Sequence, residues 1–364
     1  MQQLYFVKKE KLEWREGITP VVETKDDVLV RPFVVAKCDL DDAFLFNNVG
    51  LKIKIGSALG MIDPSYKSTF GDLMKGPFPF GHECVGQVIE TGDNVSKIKI
   101  GDIVSVPFQI SCGTCNSCLS GHTATCTTMN PISTYGFGKY LEFGGAVSDV
   151  LRVPFGDHML TKIPPTIDPI GLASLADNIP DAYRHVEELE DNPDQRVLII
   201  SGKAKSIAIY TLILAKALGA TEVDFVDRNL AQLELAEKLN ADNVFSSFSQ
   251  ITKKYDLVVD ACSTEKGLKT SFNSVRNYGT ISSSGIYIKK TSISLIDLYS
   301  KGVTFKIGLA NAKTYAVKAL DLAIAKNIDF GVATTKLAKW DNAIEAFLTH
   351  TNKVVITRNK LKSV

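Results

Sequence analysis

The chain has 364 residues, of which 45% are hydrophobic and 22% are charged, and its formal net charge is +1. This balance argues against a basic surface for nucleic acid and favours a small molecule as the partner. The most apolar stretches, 197–200 and 207–218, are too short or are flanked and interrupted by lysine, so we expect no membrane span. The length allows two domains with sizeable cores.

Up to about residue 150, the sequence predicts short β-strands separated by Gly, Pro, Asn and Asp. The predicted strands are 4–7, 28–35, 85–89 and 102–107. This half of the chain therefore predicts a β-rich barrel or sandwich.

After about residue 166, apolar strands alternate with amphipathic helices. The predicted strands are 196–200, 222–226, 255–259, 279–283 and 303–307, and the clearest helices are 206–218 and 230–239. Such alternation predicts a parallel sheet covered on both faces, which is a doubly wound α/β architecture typical of nucleotide binding.

The last part of the chain predicts a helix over 314–326, a helical segment over 340–349 and a final strand over 353–357. This tail could complete the parallel sheet or return to the first domain, and we favour the return. Earlier in the chain, Leu51 to Phe80 is rich in aromatic and methionine side chains. That segment could wall a pocket or meet a neighbouring subunit, and core packing is the alternative.

Four cysteines follow one another at metal-ligand spacing, C-x2-C-x2-C-x7-C. They are Cys112, Cys115, Cys118 and Cys126. This spacing predicts a closed tetrahedral zinc site with four sulfur ligands. Unrelated buried thiols or a disulfide knot are the alternatives, but the amino end lacks the pattern of an export signal. We therefore expect free thiols in a reducing, cytoplasmic setting, and we interpret Cys84 and Cys262 as structural thiols.

A second motif, G-H-E-x2-G-x5-G-x2-V, begins at Gly81. With Cys38 upstream and the cysteine lobe and nucleotide-binding half downstream, it resembles the zinc signature of the zinc-containing alcohol dehydrogenases, in the medium-chain dehydrogenase/reductase superfamily. The resemblance implies a GroES-like catalytic domain over 1–165 and 309–364, which includes a structural zinc lobe at about 112–126. It also implies a Rossmann NAD-binding domain over 166–308 and a C-terminal tail that returns to the catalytic domain.

The resemblance further implies a catalytic zinc held by Cys38, His82 and Asp177, with one position left open for water or substrate. Asp41 matches the position that hydrogen-bonds the ligand histidine and fixes its tautomer. Glu83 would support the site or occasionally replace a ligand. Cys38 as a buried apolar thiol and Asp177 as a helix N-cap are the alternatives.

The predicted cofactor loop departs from the glycine-rich pattern, because it has one glycine and two lysines. Its candidate phosphate contacts are Gly202, Lys203, Lys205 and Ser206. Asp227 ends the second strand of this half, where an acidic side chain bonds the adenosine ribose and favours NAD over NADP. Arg228 beside it weakens that preference, and helix capping by Asp227 is the alternative.

Two further positions match cofactor contacts of the family. The turn containing Gly285 and Ile286 would position the nicotinamide. Lys353 matches a basic residue that reaches the pyrophosphate, although a solvated lysine at the start of a strand is the alternative.

The family's usual proton relay is missing from this sequence. Two and five residues after the first zinc cysteine stand Leu40 and Ala43, neither of which can carry a proton. The alcohol proton would then need another route, through water to Asp39, Asp41 or Glu83.

Together these features predict a zinc-dependent, NAD(P)-dependent oxidoreductase with two zinc ions per chain. It would transfer hydride between NAD(H) and an alcohol and its aldehyde or ketone. The alternative is a catalytically impaired relative that serves as a nucleotide-binding or interaction module. By the same resemblance we expect a homodimer or homotetramer, with no nucleic acid or membrane partner.

Overall fold

The computed structural model of the chain describes residues 1–47, 49–62, 76–129, 133–136 and 143–361. These residues form two compact units. The first contains the described parts of 1–60, 64–180 and 311–364, and the second contains the described parts of 61–63 and 181–310. Residues 166–180 thus pack with the first unit, whereas the sequence pattern assigns them to the second domain.

Sixteen strands lie in the described ranges: β1 (Gln2–Lys8), β2 (Lys11–Glu16), β3 (Val28–Ala36), β4 (Phe78–Pro79), β5 (Glu83–Thr91), β6 (Ile103–Val106), β7 (Leu151–Val153), β8 (Thr161–Lys162), β9 (Arg196–Ile200), β10 (Glu222–Val226), β11 (Asn243–Phe245), β12 (Tyr255–Asp260), β13 (Val275–Ser283), β14 (Thr304–Ile307), β15 (Lys336–Lys339) and β16 (Val354–Thr357).

The α-helices of the same ranges are α1 (Asp39–Asn47), α2 (Val49–Ala58), α3 (Asn116–Leu119), α4 (Gly156–Met159), α5 (Asn178–Val186), α6 (Lys205–Ala217), α7 (Leu230–Lys238), α8 (Glu265–Ser274), α9 (Leu295–Lys301), α10 (Ala312–Lys326) and α11 (Ala343–Phe347). Short 3₁₀ helices cover Thr123–Thr125, Pro169–Ala176, Glu187–Glu190, Phe248–Gln250, Phe330–Ala333 and Trp340–Asn342.

The first unit is built on a seven-stranded sheet in the order β15-β16-β3-β5-β6-β8, with β7 also paired to β3. Strand β3 is buried along nearly its whole length, which explains its continuous apolar sequence. The final strand, β16, pairs antiparallel with β3. The C-terminal tail therefore returns to the first unit, as predicted.

A second sheet of three strands, in the order β2-β1-β4, completes this unit. The phenylalanines Phe44, Phe78 and Phe80 are buried in the core that it shares with the larger sheet. Phe78 and Phe80 thus serve core packing, whereas Met61 is about half exposed. Three other side chains of the Leu51 to Phe80 segment, Tyr66, Phe70 and Met74, lie outside the described residues.

The second unit contains a six-stranded parallel sheet in the order β11-β10-β9-β12-β13-β14. Numbered along this unit, the order is 3-2-1-4-5-6, which is the arrangement of a Rossmann fold. Strands β9, β10 and β12 are buried almost throughout. Their sequences are therefore apolar runs in which hydrophobic and polar residues do not alternate. The predicted doubly wound sheet is confirmed.

The predicted helix over 340–349 begins as a 3₁₀ turn and becomes α-helical only at Ala343. The sequence pattern missed helices α1 and α2, strand β2 and the short strand β11. Strand β2 has a single buried residue, Leu12, so it carries little of the apolar signal from which strands are predicted. Among the described helices, none combines the length and the apolar character needed to cross a membrane.

Gly86 of the zinc signature allows a close contact between neighbouring strands. It lies on β5 opposite Pro32 of β3, at an irregularity in the register of the ladder. A methyl group at this position would overlap the side chain of Val30 and approach the carbonyl oxygen of Arg31 to 3.0 Å. Glycine is therefore required here for close packing.

We predict that Gly86→Ala lowers the stability of the protein by about 1–3 kcal/mol, because the added methyl overpacks the β3–β5 contact. Gly17→Ala is the matched control, since Gly17 is exposed and an added methyl meets no atom within 4 Å. Thermal unfolding followed by circular dichroism compares the two variants. Equal midpoints would contradict this account of the glycine.

Candidate active site, cysteine lobe and cofactor loop

The first candidate site joins three side chains that follow or precede regular elements of the first unit. Cys38 follows β3, His82 precedes β5, and Asp177 follows the 3₁₀ helix Pro169–Ala176. Antiparallel pairing of β3 and β5 sets Ala36 opposite Glu83, so Cys38 and His82 emerge side by side. One ligand atom from each of the three residues lies within 4.8 Å of the others.

The donor set of this cluster suits a catalytic zinc. The Oδ2 atom of Asp177 lies 3.3 Å from Cys38 Sγ and 3.4 Å from His82 Nε2. Sulfur, imidazole nitrogen and carboxylate oxygen are all zinc ligands, and three protein ligands leave one position open. The carboxylate of Asp177 makes its contacts with Cys38 and His82, so the structure gives no support to its alternative role as a helix N-cap.

Asp41 lies beside the other nitrogen of His82, where the resemblance implies a hydrogen bond to the ligand histidine; that role stays a prediction. Its Oδ1 atom lies 3.5 Å from His82 Nδ1, and its Oδ2 atom accepts a hydrogen bond of 2.9 Å from the backbone N–H of Cys38. Burial raises the pKa of Asp41 to about 6. Burial alone would lower the pKa of His82, but the carboxylates of Asp41 and Asp177 outweigh it and raise that pKa to about 9.

A buried ion pair lies directly behind these residues. Lys353 Nζ lies 2.6 Å from Glu83 Oε2 and also donates to the carbonyl oxygen of Lys37 at 3.0 Å. Glu83 further accepts from Ser174 Oγ at 3.0 Å and from the backbone N–H of Asn178 at 3.3 Å. Lys353 and Glu83 are at most 1% exposed. Lys353 is therefore not a solvated lysine, while its contact with a pyrophosphate stays a prediction.

Glu83 and Lys353 are candidate site residues by sequence, but no sequence pattern pairs them with each other. Ser174 and Asn178 flank the proposed ligand Asp177 without belonging to a motif. Lys353 lies just before β16, in a position where lysine is ordinarily solvated, and only the tertiary fold brings it to Glu83. A second buried lysine, Lys37, pairs with Asp42 at 2.7 Å.

The four predicted zinc ligands of the cysteine lobe converge as well. Their sulfur atoms all lie within 4.8 Å of one another, and all seven cysteines of the chain are free thiols. Backbone N–H groups point at two of the sulfurs: Cys112 donates to Cys126 Sγ at 3.3 Å, and Cys115 donates to Cys112 Sγ at 3.4 Å. Hydrogen bonds, chiefly from Thr127, lower the pKa of Cys115 to about 5. The four converging sulfur atoms are thus suited to hold a metal.

The cysteine lobe docks onto the start of helix α10. The side chain of Thr314 donates to the carbonyl oxygen of Gly121 at 2.7 Å, and Asn311 Oδ1 accepts from the backbone N–H of Ala124 at 3.0 Å. Asn311 is the first residue of the C-terminal part of this unit. The lobe therefore fixes the chain where it re-enters the first unit.

The candidate cofactor loop follows β9 in the second unit. A side chain at Gly202 would approach the Cα and Sγ atoms of Cys262 to 2.9 Å, so this glycine permits close packing. The backbone N–H groups of Lys203 and Ala204 donate to carbonyl oxygens of Cys262 and Ala261, at 3.3 and 3.0 Å.

Around the start of α6, the two lysines differ in exposure. The side chain of Lys203 is exposed and that of Lys205, the first residue of the helix, is partly buried. Ser206 is buried. Their contacts with phosphate stay predictions.

Asp227 lies beside the end of β9, because β9 and β10 pair in parallel. Its Oδ1 atom accepts from the backbone N–H of Asn229 at 2.9 Å, and it is Asn229 that caps α7. The Oδ2 atom of Asp227 is buried and has no hydrogen-bond partner among the described residues, and the same holds for Ser201 Oγ. Ser201 belongs to no motif, so sequence reasoning missed it. Arg228 is exposed and stacks over the ring of Phe248 at 5.8 Å.

The predicted nicotinamide turn follows β13. The backbone N–H of Gly285 donates to Ser283 Oγ at 3.0 Å, and Ser283 in turn donates to Asp260 at 2.7 Å. The hydroxyl of Tyr287 also donates to Asp260, and Ile286 between them is about half exposed. The turn is thus fixed by a buried carboxylate at the end of β12.

Two family models match the chain, and together they cover well over half of it. The alcohol dehydrogenase GroES-like domain matches residues 24–165, and the zinc-binding dehydrogenase domain matches residues 206–325. The chain belongs to the zinc-containing alcohol dehydrogenase family of medium-chain dehydrogenase/reductases. This family uses zinc and a nicotinamide cofactor.

Similar proteins agree with this assignment. A glutathione-independent formaldehyde dehydrogenase of Pseudomonas aeruginosa is 35% identical over 43% of this chain and 41% of its own length. The solved structure of alcohol dehydrogenase TADH from Thermus sp. ATN1 superposes with a TM-score of 0.82 at 25% identity, covering 98% of this chain and 99% of that one. A putative zinc-binding dehydrogenase of Sinorhizobium meliloti, bound to NADP, gives 0.76 at 20% identity over 98% and 99%.

We predict that Lys353→Met destabilises the protein by about 3–5 kcal/mol, because it leaves the buried carboxylate of Glu83 without its cation. Adding Glu83→Gln should recover part of this loss. Lys269→Met is the control, since Lys269 pairs with Glu265 on an exposed helix surface and should contribute less than about 1 kcal/mol. Urea unfolding measures the differences, and similar losses for Lys353→Met and Lys269→Met would refute the importance of the buried pair.

Proposed function

We propose that this chain is a zinc-dependent oxidoreductase that transfers hydride between NAD(H) and an alcohol and its aldehyde or ketone. The observation that carries the proposal is the buried convergence of Cys38, His82 and Asp177, whose mixed donor set suits a zinc with one open position. Membership in a zinc-containing dehydrogenase family supports it independently.

When bound, zinc supplies Lewis-acid polarisation of the substrate oxygen, and the nicotinamide exchanges hydride. The chain's own residues position the ligands. Asp41 orients the imidazole of His82 and the backbone of Cys38. Glu83, neutralised by Lys353, holds the backbone that carries Asp177, so that the ligands need little rearrangement.

We propose that the alcohol proton leaves by way of Asp39. Of the three candidate carboxylates, Asp41 and Glu83 are fully buried, and Glu83 already accepts several hydrogen bonds. Asp39, next to the proposed ligand Cys38, is partly exposed as a residue, although its Oδ1 atom is buried. A carboxylate that reaches water can pass a proton onward without a hydroxyl relay.

For the second metal, we propose that the cysteine lobe holds a structural zinc. Four sulfur ligands close the coordination sphere, so such an ion cannot activate a substrate. We propose 1–165 and 309–364 as the catalytic domain and 166–308 as the cofactor domain; residues 166–180, at the start of the latter range, pack with the first unit.

The proposed cofactor is NAD. The buried, unpartnered Oδ2 atom of Asp227 is suited to accept a hydrogen bond from an adenosine ribose hydroxyl, and its charge would repel a 2′-phosphate. Ser201 Oγ, at the end of the neighbouring strand, offers a second polar contact. Gly202, Lys203, Lys205 and Ser206 would lie along the pyrophosphate, and Gly285 and Ile286 along the nicotinamide.

The substrate is proposed to be a small or medium-sized organic alcohol or carbonyl compound. The formaldehyde dehydrogenase relative and the Thermus alcohol dehydrogenase support this class by their names. Because this chain matches only 41% of the length of the former, its particular substrate is not carried over.

We propose that the protein forms a homo-oligomer in the cytoplasm. Strand β14 lies at the edge of the parallel sheet, where Ile307 is 53% exposed. Helix α9, which precedes it, exposes Leu295, Ile296 and Tyr299. An exposed strand edge beside apolar side chains favours pairing with a second copy. The free thiols of the metal sites favour a reducing compartment.

We predict about two zinc ions per chain and turnover of NAD with short alcohols or aldehydes. Cys38→Ser and His82→Ala should each lower zinc content to about one and reduce turnover at least 100-fold, because losing a ligand should cost more than the roughly 10- to 100-fold loss that follows removal of a group supporting a ligand. The control is Cys84→Ala, which removes another buried thiol near His82 and should keep both zinc and turnover. Full zinc content without any turnover would contradict the proposed activity.

We also predict that Asp227→Gly raises the KM for NAD by about 10- to 100-fold, because a charge-assisted hydrogen bond to the ribose is lost. The preference for NAD over NADP should fall at the same time, since the repulsive charge is removed. Glu237→Ala, an exposed acidic position on α7, serves as the control. If the ratio of efficiencies with the two cofactors does not change, Asp227 does not set the preference.

A further inference from the structure

Asn178 is a fully buried amide next to the proposed catalytic metal. It directly follows the ligand Asp177 and is 0% exposed. Its Oδ1 atom lies 3.4 Å from Cys38 Sγ, with the thiol as donor. Its Nδ2 atom, by contrast, is buried without a hydrogen-bond partner among the described residues.

An unpaired amide nitrogen in a protein interior costs about 1–3 kcal/mol, so this arrangement calls for a compensating partner. A carboxamide can exchange its oxygen and nitrogen by turning about the Cβ–Cγ bond with almost no change of shape. The contact with Cys38 depends on which of the two atoms faces the sulfur. A thiol can donate to the amide oxygen, whereas a metal-bound thiolate can only accept.

We propose that Asn178 is a positioning residue for the metal ligand Cys38, donating an N–H···S hydrogen bond from Nδ2 to the thiolate. The inference rests on the proposed function, because it requires a metal on Cys38. The sulfur would then accept from two donors, since the backbone N–H of Leu40 already points at it from 3.5 Å. The otherwise unpartnered amide nitrogen thereby obtains an acceptor.

The backbone around Asn178 is held in place for this role. Its N–H donates to Glu83 Oε1 at 3.3 Å, and Glu83 is fixed in turn by Lys353 and Ser174. The amide is thus carried by a rigid support and not by a mobile loop. A fixed donor stabilises the charged form of the sulfur and orients the ligand before the metal binds.

The donor also affects the metal. Hydrogen bonds to a ligand sulfur reduce the electron density that it gives to the ion. A zinc held by such a sulfur retains more positive charge for polarising a substrate oxygen. Asn178 would therefore act on the reaction through Cys38, without touching the substrate.

The test uses the full-length protein with cobalt(II) in place of zinc, because sulfur-to-cobalt charge-transfer absorption reports the electron density of the ligand sulfur. Cys38→Ala identifies the part of that absorption that belongs to the site of Cys38, His82 and Asp177, called the three-ligand site below. Asn178→Leu and Asn178→Ala both remove the donor but differ in volume. In both variants we expect the band to move to longer wavelength and the metal dissociation constant of this site to rise roughly 10- to 100-fold.

The cysteine lobe is the internal control. Its cobalt absorption and its metal affinity, measured by chelator competition, should be the same in parent and variants. Unchanged band position and affinity at the three-ligand site in both Asn178 variants would overturn the role of Asn178 and leave the proposed function intact. If the parent binds metal at the cysteine lobe alone, the proposed function fails, and the inference fails with it.

Discussion

The buried ion pair between Lys353 and Glu83 organises the candidate active site, because it connects the sequence neighbours of all three proposed ligands. Lys353 donates to the carbonyl oxygen of Lys37, which precedes Cys38. Glu83 itself follows His82, and it accepts the backbone N–H of Asn178, which follows Asp177. Three segments far apart in the sequence thus meet at one pair of charges. Breaking such a pair leaves an uncompensated charge in the interior, which is strongly destabilising. The three segments are therefore strongly coupled.

This arrangement also explains why the C-terminal tail returns to the first unit. Lys353 immediately precedes β16. The pairing of β16 with β3 brings the ammonium group of Lys353 into contact with the carboxylate of Glu83. The same tail begins at Asn311, where the cysteine lobe is docked through Asn311 and Thr314. The cysteine lobe and the ion pair thus anchor two ends of one returning segment. A metal held by the cysteine lobe would therefore affect the candidate active site through the placement of this segment.

The sequence predicts the elements of this protein well where periodicity or spacing is strong. The parallel strands are apolar runs because both their faces are covered, and the proposed zinc ligands of the cysteine lobe stand at a spacing that few other structures require. The sequence reveals neither the pairing of Lys353 with Glu83 nor the roles of Asn178 and Ser201, because each depends on tertiary neighbours. A lysine just before a strand has the same local pattern whether its ammonium meets water or a buried carboxylate. Likewise, Ser201 is distinguished only by a hydroxyl that is buried without a hydrogen-bond partner among the described residues.

The cofactor loop illustrates how such side chains can replace a missing motif. In a glycine-rich loop, backbone N–H groups approach the phosphates directly. Here two of those groups, on Lys203 and Ala204, are engaged by the segment around Cys262, and Gly202 is needed for that packing. Near this loop, Ser201 Oγ and Asp227 Oδ2 are side-chain atoms that are buried without a hydrogen-bond partner among the described residues. Recognition of a dinucleotide by this chain would accordingly depend more on side chains and on the lysine charges than on exposed backbone. Cofactor binding by this chain would for that reason be more sensitive to salt than binding by a glycine-rich loop. Charge–charge contacts near the surface are screened by salt, whereas hydrogen bonds from buried backbone groups are not.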